Sequence, residues 1–301
     1  MCITLHASKM SGTKVYAGEA NKDGVYVHVL AYQNVAASMH SGPNAMILPI
    51  PAKGSLGPLN LIDTRKFKHF LSDIAEATKE PSLSRSRSFS KGAPASLDSL
   101  AEVFDVGSYT VVLAERPGQV AEALERVPAN KRPTINNQVL ASYNKNYPGW
   151  PLAVCCWSGE TQAEPILLWY EPKVPTYLFA PALDAHDVEA PKQVDVTVDH
   201  IVAFGSTLRA TGNTLIQYSD LLLPQDVAAL LPFRAVGERI RRKSLPNGDF
   251  WYPVTNLDGN TDYTEPAPAL RFFPGAGNPK TEIPLGRWSL CEAPWDRSKT
   301  L

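Results

Sequence analysis

Ile3-Thr4-Leu5-His6-Ala7, Lys14-Val15-Tyr16-Ala17, Val25-Tyr26-Val27-His28-Val29-Leu30-Ala31-Tyr32 and Ala45-Met46-Ile47-Leu48-Pro49-Ile50 are four apolar runs within the first fifty residues. Each is short, rich in β-branched and aromatic residues and bounded by polar or glycine-containing segments, which is the pattern of strands. Residues 8–13 read as a polar turn joining the first two runs, and residues 21–24 lead into the third. Strands this close together predict a curled antiparallel sheet. In the third run Val25, Val27 and Val29 share one face and Tyr26, His28, Leu30 and Tyr32 the other. Both faces are largely apolar, so this strand is expected at the centre, covered on both sides. Pro49 and Pro51 cannot donate to a ladder, so the fourth run ends or lies on an edge there.

The rest of the composition agrees with a proline-punctuated α+β protein. Twenty-six prolines in 301 residues argue against a helical bundle, and a hydrophobic fraction of 44% is enough for a core. The net charge of −1 gives no global reason to expect nucleic acid or an anionic membrane as partner. No stretch reaches the roughly 20 apolar residues of a membrane span, and the N-terminus carries no basic lead before an apolar block. A cytoplasmic setting is expected. Cys2, Cys155, Cys156 and Cys291 match no zinc spacing. Cys155 and Cys156 are neighbours in an apparent strand, so they are expected on opposite faces as reduced, buried thiols.

Farther along, Asp63 reads as the N-cap of a helix over 64–79, with Phe67, Phe70, Leu71 and Ile74 forming one apolar stripe. Residues 80–95 alternate serine with Arg85, Arg87 and Lys91 and read as a mobile loop. Residues 103–113 resume the strand pattern, with Gly107 as a bulge. Two helices should follow, one opened by Pro117 and carrying Val120, Leu124 and Val127, one carrying Ile135, Val139, Leu140 and Tyr143. The runs 150–157 and 165–171 read as a hairpin. Val194, Val196 and Val198 alternate with Asp195, Thr197 and Asp199, which predicts a peripheral strand with one wet face. Residues 225–231 and 235–243 read as helices. Beyond residue 245 the chain is expected to wrap over the domain, pinned by Trp251, Phe272, Phe273, Trp288 and Trp295. The division that follows is a main α+β domain over 1–205 and a helical and loop-rich extension over 206–301.

Cys2, Val27 to Asn34 and Leu48-Pro49-Ile50-Pro51 resemble an uncharacterised bacterial domain family of unknown function. That family has an early cysteine, a strand ending in a VHVLAYQN-like sequence and an LPVP-like motif. The resemblance continues through Val106-Gly107-Ser108-Tyr109, Tyr143, Gly149-Trp150 and Glu164-Pro165-Ile166-Leu167, about two thirds of the chain. It implies a fold and no known activity. Members of that family follow a secretory signal, whereas here the cysteine stands directly after Met1.

One chemical hypothesis stands beside this. If Met1 is removed, the Cys2 thiol lies next to its own α-amine, which titrates near ~7.7–8.0 and can take the thiol proton. The opening hairpin also resembles that of N-terminal-nucleophile amide hydrolases. Asn21, Asn34 and Asn44 are the candidate oxyanion donors and Arg65 the candidate cation. His6 shares the Cys2 face, yet four residues at roughly 3.3 Å each put it about 13 Å away, too far for a base.

Other features carry ordinary readings. His28 reads as a core histidine and Asp199-His200 lacks further ligands for a metal. Residues 258–262 with Glu265 have calcium-like oxygens but a misplaced glycine, so they read as a turn. Arg239, Arg241, Arg242 and Lys243 read as a solvated helix C-terminus. The sequence therefore leads to a binding, structural or assembly protein that engages a protein partner or itself, with no cofactor or metal expected. The alternative is an amide-bond hydrolase or acyl transferase using Cys2.

Overall fold

A computed structural model describes residues 3–78, 103–106, 109–162, 164–185, 190–209, 215–219, 223–257 and 270–272. Cys2, Cys291, the 80–95 segment, Gly107, residues 258–262 with Glu265, and the tail aromatics Phe273, Trp288 and Trp295 lie outside the described residues.

Strand outweighs helix, and the strands form three sheets. Strands β1 (Ile3–Thr4), β4 (Asn44–Pro49), β8 (Leu152–Trp157), β7 (Tyr109–Ala114) and β6 (Val103–Val106) make an antiparallel sheet in the order β1-β4-β8-β7-β6. The larger sheet contains β2 (Ser8–Lys22), β3 (Val25–Ser38), β5 (Leu61–Ile62), β10 (Ile166–Tyr170), β12 (Asp195–Ser206) and β13 (Ala235–Pro246) in the order β13-β12-β2-β3-β10-β5. A short strand, β9 (Glu160–Gln162), pairs with one end of β3. The β12–β2 pair is parallel and the other pairs of this sheet are antiparallel. Strands β11 (Tyr177–Ala180), β14 (Asp249–Pro253) and β15 (Leu270–Phe272) form a third sheet.

Alternation of side chains sorts the core into layers. Val15, Leu30, Tyr32, Met46, Leu48, Val111, Cys155, Leu168 and Phe204 belong to one cluster between the two large sheets. The opposite faces bury elsewhere. Ile47, Val112, Val154 and Cys156 pack with Val120 and Leu124 of α2 (Val120–Glu125) and Val139 and Tyr143 of α3 (Asn137–Asn146). Val27, Val29 and Ala31 pack with Phe70, Leu71 and Ile74 of α1 (Phe70–Ala77) and Val227 of α4 (Gln225–Ala228). Cys155 and Cys156 thus fall in different layers, as period-two geometry requires.

Several expectations need correction. Residues 8–13 are not a turn: they open the single long strand β2, which a register shift between Ser11 and Lys14 bends at Gly12, φ +60. The four opening runs do not share one sheet, because β2 and β3 lie in the larger sheet while β1 and β4 join the other. Asp63 does not cap α1; the helix begins at Phe70 behind His69, although Phe67, Phe70, Leu71 and Ile74 are all buried as the stripe predicts. Within the run over 103–113, β6 and β7 pair antiparallel. Strands β8 and β10 belong to different sheets, so residues 150–171 are a crossover and not a hairpin. Strand β12 is internal, between β13 and β2.

The largest correction concerns 235–243, which are a strand: β13 pairs along β12 from Gly205↔Ala235 to Asp195↔Pro246. Helix propensity in this arginine-rich run yields to ten cross-strand pairings and to Ile240 and Leu245, which bury into the intersheet layer. The sequence-based boundary at residue 205 falls inside β12, and β13 beyond it completes the same sheet.

Candidate functional site

The residues proposed to assist Cys2, which itself lies outside the described residues, each have their own hydrogen-bond partners. Asn44 is fully buried and staples the segment after β1: its Oδ1 accepts from the backbone N–H of His6 at 3.0 Å and of Ala45 at 2.8 Å, and its Nδ2 donates to the His6 carbonyl at 2.9 Å. Asn34 is buried in β3, where its Oδ1 accepts the Tyr109 hydroxyl at 2.7 Å and its Nδ2 faces the sulfurs of Met10 and Met46 at 3.2 and 3.5 Å. Asn21 lies at the far end of the β2–β3 hairpin and caps its turn, accepting from Gly24 N–H at 2.8 Å. It pairs with Tyr26, eight residues from Asn34 along β3, or roughly 26 Å at strand rise. Arg65 is exposed and forks onto Asp63 at 2.6 and 2.8 Å, and these hydrogen bonds hold the Asp63 carboxyl below the usual range. Asn21 and Arg65 are engaged by near neighbours, and Asn34 and Asn44 by other strands or segments.

His6 reaches across to residue 134, its Nε2 lying 2.9 Å from the carbonyl and 2.8 Å from the hydroxyl of Thr134, and its ring stacks on His40 at 4.5 Å. Burial pushes its pKa down, and the adjacent His40 adds to that. Asp199 is exposed and His200 buried, so the two leave β12 on opposite faces and do not converge on a common ligand. Among the described residues no three His, Cys, Asp or Glu side chains gather at metal-binding range.

A different constellation occupies one end of the larger sheet. Glu19, near the end of β2, has no exposed surface, and its Oε1 accepts from Ser206 Oγ at 2.8 Å and Arg209 Nε at 2.6 Å. Its Oε2 accepts the Tyr26 hydroxyl at 2.9 Å. Burial first, and then this carboxylate, raise the Tyr26 phenol well above its ordinary range. Tyr26 also lies 3.2 Å from His28 Nε2, and burial drives His28 down to about 3, so that ring is neutral. Ser206 Oγ accepts in turn from the N–H groups of Leu208 and Arg209, at 2.9 and 3.0 Å. The chain leaving β12 is therefore pinned to a buried carboxylate.

Near this anchor several apolar side chains are exposed. Phe233 is 69% exposed and Leu215 58%, and their segments are tied together by Ile216 N–H donating to the Phe233 carbonyl at 2.9 Å and by a bridge between Leu215 and Arg234. Leu208 and Val25 are also exposed at this end. Phe233 leads directly into β13, whose outward run carries Arg239, Arg241, Arg242 and Lys243. A separate groove of about 230 Å³ runs between Leu56, Pro58 and Leu113 and the Glu115, Glu122 and Arg126 side chains, and contains none of the sequence candidates.

No family model matches the chain, and no curated protein matches it. Among solved structures it is similar to the crystal structure of baculovirus P35. The TM-score is 0.43 at 11% identity, over 85% of this chain and 92% of that one. A likeness at this level assigns neither family nor activity.

Sequence reasoning passed over Glu19 and Phe233. The signal for Glu19 was present: it is the one charged residue in Val15-Tyr16-Ala17-Gly18-Glu19-Ala20, and a lone carboxylate in an apolar strand implies a buried partner set. Phe233 carried no such mark, because exposure of a single aromatic depends on what the fold leaves beside it.

Proposed function

We propose that the chain is a non-catalytic binding or assembly protein that holds a protein partner at the rim formed by Leu208, Leu215 and Phe233. The supporting observation is that these apolar side chains stand exposed on hydrogen-bonded backbone: Leu208 N–H donates to Ser206, which is held by Glu19, and the Leu215 and Phe233 segments are tied together through Ile216 and Arg234. Apolar surface presented on a rigid frame lowers the ordering cost of association and favours contact with another protein. A photo-crosslinking phenylalanine analogue at position 233 tests this. A discrete protein adduct, or a covalent dimer, is expected, and it should vanish when Leu208 and Leu215 are changed to serine. A chain that sediments as a monomer at high concentration and yields no adduct in cell extract overturns the reading.

The cytoplasmic assignment belongs to the same proposal. Cys156 is a buried thiol pushed up to about 12 by desolvation, the state of a packing residue in a reducing compartment. The Cys2 hydrolase remains the second reading. Intact mass and an electrophilic probe separate the two: a chain lacking Met1 whose Cys2 reacts selectively over Cys155, Cys156 and Cys291 supports catalysis, and retention of Met1 ends it.

A further inference from the structure

Strand β13 lies at the edge of the larger sheet and, among the described residues, pairs with β12 alone. Its two halves differ. From Ala235 to Ile240 the register against β12 is regular, so the outer backbone groups of this half stand in line as a template for another strand. Between Ile240↔His200 and Lys243↔Val198 the register shifts, and both Arg241 and Arg242 stand against Asp199. Arg242 has φ +45, the conformation that a bulge imposes on it. The bulge interrupts the ladder, which resumes at Lys243↔Val198, and it sets two adjacent, exposed arginines against one aspartate.

The charge on this edge is not internally balanced. Lys243 pairs with Glu238 at 3.2 Å, and Asp199 faces the two bulge arginines without forming an ion pair with either. Arg239 lies close enough to Lys14 that the two cations repel, and burial together with Arg239 lowers the Lys14 pKa. Arg239, Arg241, Arg242 and Lys243 are all exposed. Positive charge on a strand edge often serves only to repel other edges. Here, however, three of the four charges, Arg241, Arg242 and Lys243, lie at or beyond the bulge, while the regular half is flanked by the exposed Phe233.

We propose that the β13 edge docks an extended acidic peptide segment by strand addition. The segment's backbone pairs with Ala235–Ile240, its carboxylates meet Arg239, Arg241 and Arg242, and its far end stops at the Leu215–Ile216 segment that is bridged to Arg234 beside Phe233. This inference deepens the binding reading above and rests on it. A strand is favoured over a nucleic acid because the edge offers main-chain donors and acceptors in register, and phosphate contacts make no use of those. A second copy of the chain is disfavoured because two such edges would set like charges against each other.

The probe is a labelled decapeptide with four glutamates followed by alternating valine and threonine, which pairs antiparallel to β13. Binding is read by fluorescence anisotropy with the full chain. Its affinity should fall by at least ~10-fold when alternate peptide amides on one edge are N-methylated, which removes ladder donors without changing charge. It should fall by a similar factor in the Arg239→Glu/Arg241→Glu double variant, after circular dichroism has shown that variant folded. Equal binding of the N-methylated peptide, displacement by a single-stranded oligonucleotide of matched charge at equal concentration, or no binding at all overturns the proposal. Because the peptide measurement needs no variant, misfolding of the double variant leaves it decisive. A crosslinked adduct at position 233 that persists while the peptide fails sinks the strand-addition idea and leaves the binding reading standing.

Discussion

Asp249 and Glu19 are both carboxylates withdrawn from solvent, yet they are held in different ways. Asp249, at the start of β14, accepts from fixed backbone N–H groups of Ala182 and Leu183 at 2.7 and 2.9 Å and from the Tyr147 hydroxyl at 2.6 Å. It binds α3, the segment after β11 and β14 into one corner. Burial nonetheless outweighs these donors and raises its pKa. Glu19 instead receives two hydroxyls and the guanidinium of Arg209, a side chain about one-third exposed. The first arrangement is a structural rivet made by the backbone. The second lies at the rim, with part of its cation in water, and supports a surface.

The largest effect expected from this contrast is on Asp249. Asp249→Ala strands two backbone donors and a phenol in a closed corner, and should cost about 3–5 kcal/mol in urea unfolding. Glu19→Ala leaves Arg209 and Tyr26, both partly exposed, able to reach solvent, so a smaller loss of about 2 kcal/mol is expected. Equal losses for the two variants would erase the distinction between rivet and rim.

The pH dependence of the two regions should have opposite signs. The raised Asp249 pKa means that its contribution is full below about 3.8 and is lost as pH rises through the folded value. His28, beside the Glu19 cluster, is lowered from 6.5 to about 3, so its contribution is present above pH 6.5 and is lost as pH falls toward 3. Unfolding followed between pH 7 and 5 should show the His28 limb, on the order of 2 kcal/mol at pH 5, and His28→Gln should flatten it. An unchanged slope in that variant would place the acid sensitivity elsewhere. The smallest expected effect is that of Tyr147→Phe, which removes one hydroxyl from Asp249 at a cost of about 1 kcal/mol and leaves the backbone donors in place.

Much of the fold was readable because period-two apolar patterning is local. The central position of β3, the opposed Cys155 and Cys156 and the buried stripe of α1 all follow from spacing alone. The candidate site was less legible. Asn34 and Asn44 are polar residues inside apolar strands, a pattern that suits a catalytic donor and a buried staple equally well, and only their partners decide between them.

By itself, the sequence determined that the protein is rich in strands and which residues turn inward along β3, β8 and the α1 stripe. Tertiary structure decided which strands became neighbours. It sent β4 and β3 to different sheets and drew an arginine-rich run into an extended edge along β12. The physical reason is range: side-chain alternation is written within a few residues, whereas pairing across 29 or more intervening residues, as between Gly205 and Ala235, is settled by the area and hydrogen bonds that long-range contact completes.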